Sequence, residues 1–136
     1  MDRRIYRILD ANYNRTKEAL RVLEDLTRFF LNDPRMTQDL KTYRHQVTRY
    51  MLALPISYRK LVMERDSEGD VGRNHLIQDK KVAQLFDLVI ANFKRSQESL
   101  RVLEEVLKVV SPKYSTQVQS LRFKLYVLEK KAIRKF

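Results

Sequence analysis

Apolar residues recur along this chain in alternating steps of four and three, the spacing that keeps one face of a helix turned toward its partners. The first such seam runs Ile5, Leu9, Asn12, Thr16, Ala19, Leu23, Leu26, Phe30, and it returns 80 residues on as Leu85, Val89, Asn92, Ser96, Ser99, Leu103, Val106, Val110. Two more seams follow the same steps: Met36, Leu40, Tyr43, Val47, Tyr50, Leu54, and Tyr114, Val118, Leu121, Leu125, Leu128, Ala132. The pattern predicts a first helix over 3–31, ended by Asn32, Asp33 and Pro34. Asp33 then caps a second helix with Pro34 at its first position, and Pro55 closes it. A short helix is expected over 56–64, a loop over 65–78, a third helix over 79–110, and a last helix after Ser111-Pro112, which repeats the Asp33-Pro34 device. Short turns within each pair make antiparallel hairpins. The expected fold is all-α, a four-helix bundle of two duplicated hairpins related by a pseudo-twofold axis, within one domain over 1–136. The repeat halves are about 1–54 and 79–136, with a connector at 55–78.

The duplication is visible residue by residue. ANYNRTKEALRVLE at 11–24 returns as ANFKRSQESLRVLE at 91–104, with nine of fourteen positions identical, more than shared helix composition explains. Several identities are polar. Both seams turn small and polar at the same three steps, where a core wants large apolar side chains and an unpaired buried amide costs roughly 1–3 kcal/mol. Each notch therefore holds either a closed hydrogen-bond network that fixes how two helices cross or a ligand. Arg15 with Glu18, and Arg95 with Glu98, flank the notches on the helical wheel, whereas Arg21, Arg101, Glu24 and Glu104 point further round toward solvent.

Composition narrows the chemistry. Two glycines and three prolines in 136 residues agree with a helical chain. Cysteine is absent, which removes disulfides and thiolate catalysis, and two isolated histidines, His45 and His75, supply no conventional zinc site. No apolar run approaches the roughly 18 residues that span a bilayer, and the charged start MDRRIYRILDA is no secretion signal, so the cytoplasm is the expected compartment. The formal charge of +11, from 28 basic and 17 acidic residues, suits a polyanionic partner without choosing between nucleic acid, phospholipid headgroups and nucleotides. GxxxxGK[ST], GxGxxG and HExxH are all missing.

Both glycines fall in the connector, in ERDSEGDVGRNH at 64–75. Gly69 and Gly72 permit positive backbone dihedrals that expose amide N–H groups to an anion, while Glu68, Asp70 or Asp66 could hold Mg²⁺ through water. The plain alternative is a turn between hairpins. GDVG also spells the GXXG of a KH nucleic-acid loop, but the strands of that module are missing. Exposed aromatic residues such as Tyr58, Tyr114 or Phe136 are candidates for contact between copies in a homo-oligomer.

RILDANYNRTKEALRVLEDLTRFFLN, the loop RDSEGDVG, and ANFKRSQESLRVLEEVLK followed by LRFKLYVLE together resemble a small family of hydroxymethylpyrimidine-phosphate kinases, found alone or fused in front of thiamin-phosphate synthase. The resemblance spans nearly the whole chain in three ordered blocks. Because the chain ends at Phe136, no synthase domain is expected. It implies ATP-dependent phosphorylation of hydroxymethylpyrimidine phosphate to the diphosphate in thiamin biosynthesis, with ATP and Mg²⁺ as cofactors and small molecules, not membrane or nucleic acid, as partners. It carries over to Asp10, Asn12, Arg15, Glu18, Arg21 and Glu24, to Arg65, Asp66, Gly69, Asp70 and Gly72, and to Asn92, Arg95, Glu98, Arg101, Glu104 and Glu105. Within that set Arg15, Arg95 and Asp70 are expected to be catalytic. Asn12, Asn92, Arg21, Arg101, Arg65, Gly69 and Gly72 would bind substrate or nucleotide, and Glu18 and Glu98 would hold the metal. Ser67 and Arg73 depart from the Thr, and the Thr or Ser, common in related loops. The chemistry agrees on independent grounds: a phosphate monoester is already largely an anionic nucleophile near neutral pH, so its attack on ATP needs charge neutralisation more than a general base. A pericyclic mutase of the chorismate mutase type, binding a dicarboxylate through Arg and Glu, and a basic helical module that binds nucleic acid remain the alternatives.

Overall fold

The computed structural model describes residues 1–73 and 84–136 and contains only helices among them: α1 (Arg3–Asp25) running into a π-helical turn (Leu26–Phe30), α2 (Pro34–Leu52), α3 (Tyr58–Met63), α4 (Leu85–Val110) and α5 (Pro112–Ile133). Caps start them where the sequence signals. Asp2 accepts the Arg4 amide at 2.9 Å, Asp33 accepts the Met36 amide at 2.9 Å with Pro34 behind it, and Ser57 accepts the Lys60 amide at 3.2 Å. Ser111 does not repeat the Asp33 device, because its side chain makes no cap bond and it serves as the single residue between α4 and α5. Other boundaries shift inward: α2 stops at Leu52 rather than 54, and α3 covers 58–63 rather than 56–64. The predicted start of the third helix at 79, the connector's end at 74–78 and His75 lie outside the described residues.

The first hairpin differs from the second by two residues. Partners in α1 and α4 are 80 apart in number, but those in α2 and α5, such as Met36 and Tyr114 or Arg44 and Arg122, are 78 apart. The extra length is taken up by the π-helical turn and by Asn32, whose φ of 51° places it in the left-handed region that Asn tolerates best among non-glycine residues. The wider turn also rotates Phe30 off the seam: it is 56% exposed and stacks on Phe136 with ring centroids 5.8 Å apart.

α1 and α4 form the central pair, with α2 packed on α1 and α5 packed on α4. Directions follow from the ends. Lys135 pairs with Asp33, Phe136 stacks on Phe30, and Tyr50 packs on Tyr114, so α2 and α5 run antiparallel. Each is antiparallel to its own hairpin partner, and α1 and α4 are therefore antiparallel too. The core is filled by Leu9, Tyr13, Leu20 and Leu23 of α1, their repeat counterparts Val89, Phe93, Leu100 and Leu103, and Leu40, Val47, Leu121 and Leu125. It is broader than one seam, since Leu20 and Leu100 are fully buried on the adjoining stripe.

Glu24 and Glu104, expected to face solvent, are buried instead. Each ties its hairpin together: Arg44 donates to Glu24 at 2.8 Å, and Arg122 to Glu104 at 2.9 Å. The helical wheel misplaced them because α2 and α5 cover a second face of the central helices. The hydrogen bond that Arg122 donates to Glu104 raises it above the ordinary guanidinium pKa. Tyr114 and Phe136 pack within the chain, against Tyr50 and Phe30, so of the suggested contact aromatics only Tyr58 stays exposed. No described helix is long and apolar enough to cross a membrane.

Candidate functional site

The middle of the α1–α4 interface is built from hydroxyls. Thr16 and Ser99, both buried, meet at 2.7 Å, and each can instead donate back to a carbonyl of its own helix, Asn12 O at 2.8 Å or Arg95 O at 2.7 Å. Small side chains here let the two helices approach closely. That contact also sets the register. With Thr16 opposite Ser99 in an antiparallel pair, Asn12 stands opposite Leu103 and Asn92 opposite Leu23, so the two asparagines are separated by about 16 Å along the helices at 1.5 Å per residue. Both amides are used identically: Asn12 Nδ2 donates to Ile8 O and Asn92 Nδ2 to Leu88 O, each at 2.9 Å. The buried part of the notch thus has Thr16 and Ser99 bonded across the seam, while each asparagine bonds within its own helix.

Its outer rim is open. Arg15, Glu18, Arg95 and Glu98 are exposed and line, with Asn12, Asn92, Val22 and Val102, a groove of 510 Å³ over the α1–α4 seam. By the same register Glu98 stands opposite Lys17, one residue from Glu18, so two carboxylates come level on adjacent helices. Arg15 and Arg95 lie on either side of them, about 8 Å apart along the axis. Read along the groove, the order is Asn12, Arg15, the Glu18/Glu98 pair, Arg95, Asn92. Among the described residues none of these four charged side chains has an ion-pair partner; the nearest contact is Arg15 Nη1 to Asn12 Oδ1 at 3.4 Å.

At the Asn12 end the groove opens into a cavity of 690 Å³, walled by Arg4, Arg7 and Asn14 of α1 and by the 65–70 segment, and a further 630 Å³ hollow runs from Arg15 along Asp70 to Arg73. The segment is anchored from below. Asp10, 3% exposed, receives Arg65 in a bidentate pair, Nε to Oδ2 at 2.6 Å and Nη2 to Oδ1 at 2.7 Å, and Asn14 adds a 3.3 Å bond. Those bonds hold Arg65 well above its ordinary pKa and give it a structural partner where a phosphate contact was expected. Neither glycine has positive φ. Their amides turn inward, Gly69 N–H to Asp66 Oδ1 at 2.8 Å and Gly72 N–H to Asp70 Oδ1 at 2.9 Å, instead of facing an anion. A Cβ at Gly69 would meet the exposed Asp66 carboxylate and push it off the Gly69 amide.

Arg21 and Arg101 stand apart from the groove, in loose ion pairs with Glu24 and Asp25 and with Glu104 and Glu105. Arg4, Arg7 and Asn14 were missed as site residues. Their signal was present, since Arg4, Ile8, Ala11, Arg15, Glu18 and Val22, and beside them Arg7, Ala11, Asn14 and Glu18, follow the steps of one broad helix face next to the buried one. Glu18 reaches both cavities, but among the described residues no three acidic or imidazole groups converge tightly enough to hold a metal by themselves.

Comparison with known proteins gives the lineage. The model of the ThiD2 family matches residues 7–131. A thiamine-phosphate synthase of Rhodopirellula baltica is 38% identical over 125 residues, covering 91% of this chain and 33% of that protein. Those of Nostoc punctiforme and Nostoc sp. are 34% and 36% identical over 126 residues, each covering 92% of this chain and 34% of theirs. This chain spans about a third of the length of these curated relatives, and no solved structure matches it. Matched over nearly all of its length by the family model, the chain belongs to the ThiD2 family.

Proposed function

We propose that the chain is a phosphotransferase of thiamin biosynthesis that moves the γ-phosphoryl group of ATP to the phosphate of hydroxymethylpyrimidine phosphate. The observation that carries this reading is the order of charges in the groove: one guanidinium on each side of a level pair of carboxylates, with an amide and an exposed valine beyond each. Two phosphate groups can be drawn toward one another there, because Arg binds phosphate oxygens bidentately and each guanidinium serves one substrate. The names of the relatives, each a thiamine-phosphate synthase, support the metabolic setting.

In the reaction a phosphate oxygen of the pyrimidine substrate attacks the γ-phosphorus of ATP, the bond from that phosphorus to the bridging oxygen breaks, and ADP leaves with the electron pair. A new P–O–P bridge makes the diphosphate. Arg15 and Arg95 orient the two phosphates in line and neutralise the charge that gathers on the equatorial oxygens. No general base is required, since the attacking oxygen is already ionised. Mg²⁺ fits the donor set: Glu18 and Glu98 are hard oxygen ligands, and Mg²⁺ commonly takes one or two carboxylates and completes its shell with substrate phosphates and water. These two residues would hold it. When bound, the ion would supply further neutralisation of phosphate charge.

Mg·ATP and hydroxymethylpyrimidine phosphate should give the diphosphate and ADP, followed by ³¹P NMR, while free hydroxymethylpyrimidine is a poor acceptor for want of a base to ionise its alcohol. No turnover of either acceptor would remove the reading, and equal turnover of both would remove its specificity. Mg·ATP should also raise the melting temperature selectively.

A further inference from the structure

The two ends of the groove are duplicated at their centre and unlike at their outskirts, and on that difference we infer that the nucleotide's polyphosphate occupies the Asn12 end and the pyrimidine monophosphate the Asn92 end. The inference rests on the kinase reading above and goes beyond it, by assigning one half to each substrate.

Three observations agree. The first is charge. Arg7, on the stripe that walls the Asn12 end, has Asp87 as its repeat counterpart, in the first turn of α4, and Arg4 has Gln84. Arg7 touches only a backbone carbonyl, Asp66 O at 3.5 Å, and no described carboxylate pairs with it or with Arg15. Among the described residues at the Asn92 end the added cation, Lys94, is held by Glu129 at 3.0 Å. Two guanidiniums suit a chain of phosphates; one suits a monoester. The second is space. The Asn12 end continues into hollows of 690 and 630 Å³, whereas among the described residues Asn92 borders the 510 Å³ groove.

The third is what closes each end. Over the Asn12 end the 65–70 segment, pinned by Asp10 and Arg65, adds Asp66 and Asp70, each with one carboxylate oxygen on a glycine amide and the other available to a cation. A polyphosphate arrives with its cation, so carboxylates beside it are tolerated there. At the Asn92 end the neighbour is Val22, 39% exposed and level with Phe93 in the register. An apolar face next to an amide fits an aminopyrimidine ring; Val102, 38% exposed, repeats that face at the Asn12 end, so charge and space are what tell the ends apart.

The test is calorimetric titration of the whole chain, separately with the Mg²⁺ complex of the non-hydrolysable imido analogue of ATP and with hydroxymethylpyrimidine phosphate. Arg7→Gln should weaken the analogue about tenfold, the effect of losing one charge-assisted hydrogen bond of about 1.4 kcal/mol, and leave the pyrimidine phosphate within about twofold. Val22→Asp should do the reverse. Should Val22→Asp melt early, Arg95→Gln replaces it, with the larger loss expected for the pyrimidine phosphate. The opposite pattern, or equal losses of both ligands in either variant, overturns the assignment even where the wild type turns over normally. A wild type that binds no nucleotide overturns the kinase reading and the assignment together.

Discussion

Changing Glu104 to Gln would leave volume and packing nearly intact while stripping the charge from a residue that is 2% exposed. Its partner Arg122 is itself only 8% exposed, donates to Glu104 at 2.9 Å, and lies over the rings of Phe123 and Tyr126, so its guanidinium cannot turn out to water without giving up that packing. Removing one member of a buried pair costs about 3–5 kcal/mol, because the other charge stays desolvated. With an unfolding entropy of about 2.1 cal/mol/K per residue, a chain of this length changes its melting temperature by about 1 °C for every 0.29 kcal/mol, so Glu104→Gln should melt about 10–17 °C lower. Circular dichroism at 222 nm follows the transition. Two controls sharpen the reasoning. Glu24→Gln should fall less, since Arg44 is 15% exposed by side chain against 10% for Arg122. Glu104→Leu with Arg122→Met, which removes both charges, should recover most of the loss. A fall below about 4 °C for Glu104→Gln, or a double variant no more stable than the single one, would show that water reaches the pair and refute the argument.

Asp70→Asn keeps an oxygen for the Gly72 amide, so the turn should survive with little change in melting temperature while turnover falls roughly 10²-fold, about 2.7 kcal/mol of barrier; near-normal kinetics would return the loop to a connector. Asp33 is held below its ordinary 3.8 by Lys135 and by the Met36 amide, so the unfolded chain binds more protons there than the folded one at acid pH. Its stabilisation is complete above the unfolded value and fades as pH falls through the lower, folded value. Melting temperature should accordingly drop on acidification below about pH 4, less steeply in Asp33→Asn, and identical acid slopes for the two proteins would count against the cap.

The all-helical fold, the two hairpins and the duplicated notch were legible in the sequence because they rest on short-range physics: apolar periodicity, proline and Asp punctuation, and a repeat that kept polar residues where a core would not demand them. Asn12, Thr16 and Ala19, and Asn92, Ser96 and Ser99, could be identified as two notches, flanked by Arg15 with Glu18 and by Arg95 with Glu98, from helical spacing alone. What the sequence could not reveal depends on which second helix covers which face. Glu24 and Glu104 were read as solvent-facing until α2 and α5 buried them. Arg65 was read as a phosphate ligand, but Asp10, 55 residues away, engages it, and the glycine amides turn toward Asp66 and Asp70. The antiparallel pairing of α1 with α4 was decided by tertiary contacts at the far ends of α2 and α5, and it alone brings Glu18 level with Glu98 between two arginines. A helical wheel gives angles within one helix and says nothing of the register between two, so the order of charges along the groove became visible only once the helices were packed.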